Sequence, residues 1–120
     1  EAVLASRLDP VTVVKAPHHG SRTSSTVPLV SAVDADWVVV SAGTESRHGH
    51  PHAAALGRWL GARLVRTDRD GSVRFVSDGE RLSVARWRPW LGWIRLARRP
   101  WRPRSPGRHT GHHLAEDRVP

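Results

Sequence analysis

The sequence contains no cysteine and no methionine in its 120 residues. Without cysteine the chain can form no disulfide and offers no thiolate to a metal, so any metal must be bound by histidine and carboxylate, which suits zinc, manganese or iron. No run of about 18 apolar residues occurs, so no segment is predicted to span a membrane. The chain begins at Glu1 with no signal-peptide pattern, and we interpret it as the C-terminal portion of a longer protein.

Positive charge is unevenly distributed along the chain. The formal net charge is +8, with eleven Lys and Arg against nine acids in residues 1–86 and eight Arg against two acids in residues 87–120. We therefore predict a folded domain over 1–86 and a disordered tail over 87–120, where Arg, Trp and Pro mix without a regular period. In the alternative interpretation, the interleaved Arg and Trp of this tail bind nucleic-acid bases or an anionic membrane surface.

Strand and helix patterns alternate through the first two thirds of the chain. The predicted elements are a helix over 1–8, a strand over 11–15, a short helix that ends at Val33, a strand over 37–41, a helix over 51–61 and a strand over 63–67. This order predicts right-handed crossovers and a largely parallel α/β sheet. After it, an alternating run over 72–77, the turn Asp78-Gly79 and the returning residues Leu82 and Val84 predict an antiparallel hairpin at the sheet edge.

Two histidine-rich turns stand between predicted strands and helices. His18-His19-Gly20 follows the first strand, and His48-Gly49-His50-Pro51-His52 precedes the second long helix. A strand fixes the position of the residues that follow it, and a loop leaves their imidazole rings open to a ligand. Ordinary surface histidines are the alternative, but two such turns in one short chain favour a metal or catalytic site.

Other polar groups lie close to these turns. Ser21, Ser24 and Ser25 either donate hydrogen bonds to the phosphate oxygens of a substrate or cap the helix that follows. His50 lies beside the helix predicted to begin at Pro51, where free backbone amides favour an anionic substrate group. In the alternative interpretation, His50 is a turn histidine bonded to a nearby carbonyl.

Four segments of the chain resemble a known family in their order and residues. They are Val14-Lys15-Ala16-Pro17-His18-His19-Gly20-Ser21-Arg22-Thr23-Ser24-Ser25, Ser41-Ala42-Gly43, Gly49-His50-Pro51-His52, and Arg66-Thr67-Asp68 with Asp70-Gly71. Together they resemble the C-terminal half of a metallo-β-lactamase-fold domain and, more narrowly, the hydrolase domain that ends ComEC-type competence DNA-uptake proteins. The resemblance covers about residues 1–77 and implies one half of an αββα sandwich with a metal site at the sheet edge.

The resemblance also implies roles for individual residues. His19 corresponds to the last metal ligand of the family, and His18 and His50 to catalytic positions; the reverse order of His18 and His19 is the alternative. The implied substrate-binding positions are Ser21, Ser24, Gly49 and Pro51. The chain departs from the family pattern at Ser46 and His48, where the family has asparagine and an aromatic residue.

The function implied by the resemblance is that of a metal-dependent phosphodiesterase or nuclease in DNA uptake during transformation. It needs zinc or manganese, DNA as substrate and an upstream half of the same polypeptide, because the His-x-x-x-Asp-His and Gly-Asp motifs of the family are absent here. We therefore expect this fragment to be soluble and inactive alone, and the parent to lie in the cell membrane with this domain outside the cytoplasm. The alternatives are a non-catalytic, basic DNA-binding module and a hydrolase of small esters or lactams.

Overall fold

Two three-stranded sheets, joined by short helices and turns, make up the part of the chain that the structure describes. The structure is a computed structural model that describes residues 1–100. In chain order the elements are α1 Ala2–Ala5, β1 Val13–Lys15, a 3-10 turn over Pro17–Gly20, α2 Val27–Val33, β2 Trp37–Val40, α3 Ala53–Gly57, β3 Arg63–Arg66, α4 Thr67–Asp70, β4 Val73–Ser77, β5 Arg81–Arg88 and β6 Gly92–Pro100. The predicted α/β class is confirmed.

The first sheet is parallel and has the strand order β1–β2–β3, as predicted. Val14 pairs with Val38, and Val38 in turn pairs with Leu64, so β2 is the central strand. Both faces of β2 are covered, and Val38 and Val40 are fully buried, as a central parallel strand requires. β1 is an edge strand, and its residues stay partly exposed.

The second sheet is antiparallel, has the order β4–β5–β6 and packs against the first. Leu82 and Val84 of β5 lie in one apolar cluster with Trp37 and Val65 of the parallel sheet. On the other side of the parallel sheet, α2 and Trp59 cover its second face. The described residues therefore form three layers of helices, parallel sheet and antiparallel sheet. The predicted hairpin belongs to this separate sheet rather than to the edge of the parallel one.

The antiparallel sheet includes residues that the sequence pattern assigned to the tail. β5 continues to Arg88, and β6 follows over Gly92–Pro100. The prediction of disorder from Trp87 is therefore wrong over residues 87–100, and the boundary drawn after residue 86 falls inside β5. The remaining part of the predicted tail, 101–120, lies outside the described residues.

A β-bulge explains why the period of β6 was missed. Val84 pairs with Ala97, but the next residue of β5, Ala85, pairs with Arg95, so Leu96 is an extra residue between two pairs. Such an insertion interrupts the two-residue alternation that identifies a strand. The pairing of Trp87 with Trp93 beyond the bulge shows that the strand continues on both sides of it.

Two helices, α1 and α3, are shorter than the predicted helices over 1–8 and 51–61. In α1, Val3 and Leu4 are 77% and 57% exposed and do not pack against the core. α3 ends at Gly57, and the turns after it bury Trp59 but leave Leu60 88% exposed. Within residues 1–100, none of the helices combines the length and the apolar character that crossing a bilayer requires.

Asp70 links the two sheets through its carboxylate. Its Oδ2 accepts a hydrogen bond of 2.9 Å from the backbone amide of Arg66 at the end of β3. Its Oδ1 accepts a bond of 3.0 Å from Nη1 of Arg86 in β5, and Nη2 of Arg88 lies 3.9 Å away. One side chain thus holds the end of the parallel sheet against a strand of the antiparallel sheet, with two charge-assisted contacts in a partly buried place.

The Asp70→Asn substitution is expected to lower the free energy of unfolding by about 1–3 kcal/mol, because it weakens a charge-assisted bond and leaves the arginines without their partner. Urea unfolding followed by circular dichroism measures the change. Glu80→Gln, which removes one negative charge from an exposed turn, is the matched control and should change the value by less than about 0.5 kcal/mol. Equal stabilities for the two variants would contradict this role.

Candidate functional site

The first histidine turn has an uncommon backbone. His18 and His19 have φ angles of 46° and 55°, and Gly20 follows at 79°, so three successive residues are left-handed. A left-handed conformation costs a residue with a side chain about 1–2 kcal/mol. It persists only where the surrounding structure holds it, and such residues cluster at functional sites. The conformation leaves both imidazole rings exposed at the end of β1.

The second histidine turn is packed directly on the first. The carbonyl of Gly20 accepts a hydrogen bond of 2.9 Å from the amide of His52. A Cβ added to Gly20 would lie 2.6 Å from Cβ of Pro51 and 3.4 Å from Cγ1 of Val40, so only glycine allows this approach. The two turns predicted to share a site are therefore in contact. Pro51, predicted to bind substrate, packs here between the turns.

The ring of His19 is oriented by the second loop. Its Nδ1 lies 2.6 Å from the carbonyl oxygen of Ser41. A carbonyl only accepts, so the geometry assigns the hydrogen to Nδ1 and leaves the lone pair of Nε2 free in the neutral ring. Metal-bound histidines have this arrangement, in which one nitrogen donates to a carbonyl and the other faces the ion.

Four further histidines surround this position, and we call all five the histidine cluster. The ring of His50 is central: its centroid lies 5.5 Å from that of His18, 5.8 Å from His48 and 5.4 Å from His52. Loss of hydration, followed by the neighbouring imidazoles, holds the pKa of His50 below its usual value of 6.5. His50 is therefore neutral at pH 7 and can accept a proton or a hydrogen bond.

An open hollow of about 480 Å³ lies against the cluster. His19, His48 and His50 line it together with Glu45, the carboxylate at this surface. Neither Glu45 nor the Ser41 carbonyl could be predicted from the sequence, since a lone loop glutamate and a backbone oxygen belong to no motif.

The described residues do not hold a metal ion by themselves. No three His, Asp or Glu side chains within residues 1–100 stand close enough together to bind one ion. The free Nε2 of His19 suits a single ligand position. A working metal centre would need donors from outside the described part of the chain.

The serine residues after the first turn are buried rather than open to a substrate. The hydroxyl of Ser24 lies 2.9 Å from the carbonyls of both Pro17 and Ser21. Ser21 is also buried, and its own hydroxyl lies 3.4 Å from that of Thr23. These contacts support a role in shaping the loop, and the substrate-binding role predicted for Ser21 and Ser24 stays a prediction.

The start of α2 is capped by a carboxylate. Glu1 accepts hydrogen bonds of 2.9 Å from the amide of Ser25 and 2.6 Å from that of Thr26. Thr26 is the N-cap residue, but its hydroxyl makes no capping bond, so the predicted hydroxyl cap is wrong. Burial raises the pKa of Glu1, yet the two amide bonds outweigh it and hold that pKa below its usual value. The ionised carboxylate accepts these hydrogen bonds more strongly than the protonated carboxyl group would.

The second turn uses its polar groups internally. The carbonyl of Ser46 accepts a hydrogen bond of 2.9 Å from the amide of Gly49. The hydroxyl of Ser46 accepts one of 3.0 Å from the amide of His50. α3 begins at Ala53 rather than Pro51, and the His52 amide is already bonded within the packed turns. The prediction that the helix begins at Pro51 is therefore wrong, and an anion site at helix amides beside His50 stays a prediction. Gly49 remains exposed in this turn, and its substrate-binding role stays a prediction.

Thr67 and Asp68 hold the base of the second loop. The Thr67 hydroxyl accepts a bond of 2.8 Å from the amide of Ala42 and donates one of 2.7 Å to the carbonyl of the same residue. Asp68 forms two parallel hydrogen bonds with Arg66, and this pairing holds the pKa of Asp68 below its usual value. These groups are structural, as expected for a turn.

The geometry defines a class of site: a histidine-lined hollow at the end of a parallel α/β sheet. The chain is similar to Competence protein ComA of Neisseria gonorrhoeae, with 38% identity over 60 residues, which are 48% of this chain and 9% of that protein. It is also similar to ComE operon protein 3 of Bacillus subtilis, with 31% identity over 65 residues, 52% of this chain and 8% of that protein. The aligned part is thus less than a tenth of either relative.

The other comparisons give no match. No family model matches the chain, and no solved structure matches it. The likeness to the two competence proteins fits the ComEC-type resemblance inferred from the motifs. The metallo-β-lactamase fold stays a prediction.

The Gly20→Ala substitution is expected to lower the free energy of unfolding by about 2–5 kcal/mol, because it adds left-handed strain and a clash with Pro51. Urea unfolding measures this, and Gly43→Ala is the control, since an added Cβ there meets no atom within 4 Å. A Gly20→Ala protein as stable as the control would show that the two turns do not need this contact.

The pKa of His50, followed by NMR of its ring, is expected to lie below 6.5 and to rise towards 6.5 in His52→Asn. The folded state disfavours protonation of His50, so its contribution to stability is complete above about pH 6.5 and is lost as the pH falls through the folded pKa. A midpoint at or above 6.5 would contradict the clustering of the rings.

Proposed function

We propose that this chain forms one part of a metal-dependent phosphodiesterase or nuclease that acts on DNA during competence-linked uptake. The observation that carries the proposal is the His19 ring, whose Nδ1 is bonded to the Ser41 carbonyl while Nε2 is left free beside His50. The likeness to two competence proteins supports the setting. The chain aligns with under a tenth of each relative, so the substrate and partners proposed are those of a longer protein.

The proposal assigns His19 as one ligand of a divalent ion, zinc or manganese, whose other ligands come from an upstream part of the polypeptide. Such an ion supplies hydroxide at neutral pH and a positive charge for phosphate oxygens. The Ser41 carbonyl orients the His19 ring. Because this bond already restricts rotation of the ring, less conformational freedom is lost when the ion binds.

His18 and His50 are proposed to serve the substrate. His50 has a pKa below its usual value and is neutral at pH 7, so it can accept a proton or orient a water. His18 lies in edge contact with the His50 ring and is exposed, so it can donate a hydrogen bond to a phosphate oxygen. Gly49 lets the backbone approach the substrate at the exposed rim of the hollow.

We propose that the parent protein lies in the cell membrane with this domain outside the cytoplasm, where incoming DNA would reach it. Two other functions make different predictions. A hydrolase of small esters or lactams would turn over a chromogenic lactam in the longer protein, and a purely binding module would hold DNA without cleaving it. The held Nδ1 and free Nε2 of His19 favour a metal-dependent hydrolase over a pure binding module, and the likeness to competence proteins favours DNA over small esters or lactams.

The test is metal-dependent cleavage of DNA by the longer protein. His19→Ala is expected to reduce the rate at least 100-fold, and chelation of the metal to abolish cleavage. His19→Asn is the matched variant, because its amide can still donate to Ser41 but offers no second nitrogen. Loss in both variants supports a ligand role for Nε2.

Full activity in His19→Asn would assign the ring a structural role only. Cleavage that is indifferent to chelator would end the proposal. Circular dichroism of each variant shows whether the fold is retained, so that loss of structure is not read as loss of a ligand.

A further inference from the structure

The outer face of the antiparallel sheet carries a set of side chains that the proposed cleavage does not use. Cross-strand pairs share a face, and alternate residues point to opposite faces. Phe75 and Val84 form one pair that faces the parallel sheet, so Arg74 and Ala85 face away. By the same register, the outer face bears Arg74, Arg81, Trp87, Trp93, Arg95 and Arg98.

Direct contacts confirm that Arg74, Trp87 and Trp93 share one surface. The ring centroids of Trp87 and Trp93 lie 5.6 Å apart in an edge-to-face arrangement. The guanidinium carbon of Arg74 lies 4.4 Å from the centroid of Trp93. Both tryptophans are exposed, at 43% and 41%, on a face that alternates aromatic and cationic groups.

Within residues 1–100, positive charge predominates on this face. Among residues 1–100, ion pairs are formed by Arg66, Arg86 and Arg88, and by none of the four arginines of the outer face. The acids between residues 73 and 100 are Asp78 and Glu80, both in the turn at one end. Covering this face with an apolar layer would leave four guanidinium groups without partners, which is costly.

We propose that this outer face binds single-stranded nucleic acid. Arginines that flank exposed aromatic rings fit a polyanion whose unpaired bases offer flat faces, because stacking contributes about 1–3 kcal/mol per base and the cations hold the backbone. From Arg81 to Trp87 the strand spans about 20 Å, which matches about six nucleotides at the rise of a stacked strand. A duplex would use the arginines but leave the tryptophans without a stacking partner.

The inference deepens the DNA role proposed above by naming the form of nucleic acid and its surface. Affinity for nucleic acid is measured in the presence of EDTA, where no metal-dependent cleavage occurs. A failure of binding is therefore distinguishable from a failure of cleavage. The probe is a labelled 12-nucleotide poly-dT, titrated with the full 120-residue chain and followed by fluorescence anisotropy at two salt concentrations. An abasic oligonucleotide of the same length offers phosphates without bases.

The Arg95→Gln/Arg98→Gln variant is expected to lose about tenfold in affinity and to reduce the slope of log affinity against log salt by about 1.4, at about 0.7 for each phosphate contact. Arg7→Gln/Arg69→Gln removes the same charge from exposed positions outside this sheet and is the matched control. Equal losses in the two double variants would mean that net charge alone binds DNA, and this would overturn the proposal.

Trp93→Leu is expected to lose about 5- to 100-fold for poly-dT and little for the abasic strand, whereas Trp93→Phe keeps a stacking ring and most of the affinity. If circular dichroism shows that Trp93→Leu does not fold, the affinities of Trp93→Phe and Trp87→Leu for poly-dT and for the abasic strand are compared instead. Equal binding of poly-dT and the abasic strand by the unchanged chain would overturn the proposal.

Binding to anionic vesicles of phosphatidylserine and phosphatidylcholine is measured for the same variants, because Arg and Trp also suit a membrane surface. Vesicle binding that falls in the same variants, with poly-dT binding unaffected, would assign the face to lipid and overturn the proposal. Duplex DNA bound as tightly as poly-dT, or less than tenfold more weakly, would remove the preference for single strands and equally overturn the proposal.

Discussion

The contact between Gly20 and Pro51 is the constraint on which the histidine cluster depends. It lets the ends of β1 and β2 carry two turns at van der Waals distance, with the His52 amide bonded to the Gly20 carbonyl. Any side chain at Gly20 would separate them, and the left-handed backbone before it would lose its support. The cluster therefore depends first on backbone packing, which brings the rings of the two turns together.

Two carboxylates also hold distant parts of the described residues together through hydrogen bonds. Glu1 supplies the acceptors that α2 needs at its start, and Asp70 joins the end of β3 to β5. In both cases one acidic side chain accepts hydrogen bonds at its two oxygens, which is the capacity of an ionised carboxylate. With the apolar cluster around Trp37, these bonds explain how three-residue and four-residue strands form a defined fold.

Much of the parallel sheet could be predicted because valine-rich runs such as Trp37–Val40 occur between helix signals. Contact between the two histidine turns followed from their common position at strand ends. The remaining features depend on pairs of residues far apart in the chain. The bonds of Glu1 to Ser25 and of His19 to the Ser41 carbonyl span 24 and 22 residues, and neither leaves a local pattern. β6 was missed because one extra residue interrupted its period.

That extra residue, Leu96, decides which side of the molecule each following residue reaches. With it, Ala97 lies opposite Val84 and packs towards the core, while Arg98 stays outside. A uniform strand of the same length would place a guanidinium against the apolar cluster and an alanine in solvent. The bulge therefore lets both halves of β6 pair with β5 while Arg95 and Arg98 stay on the same face.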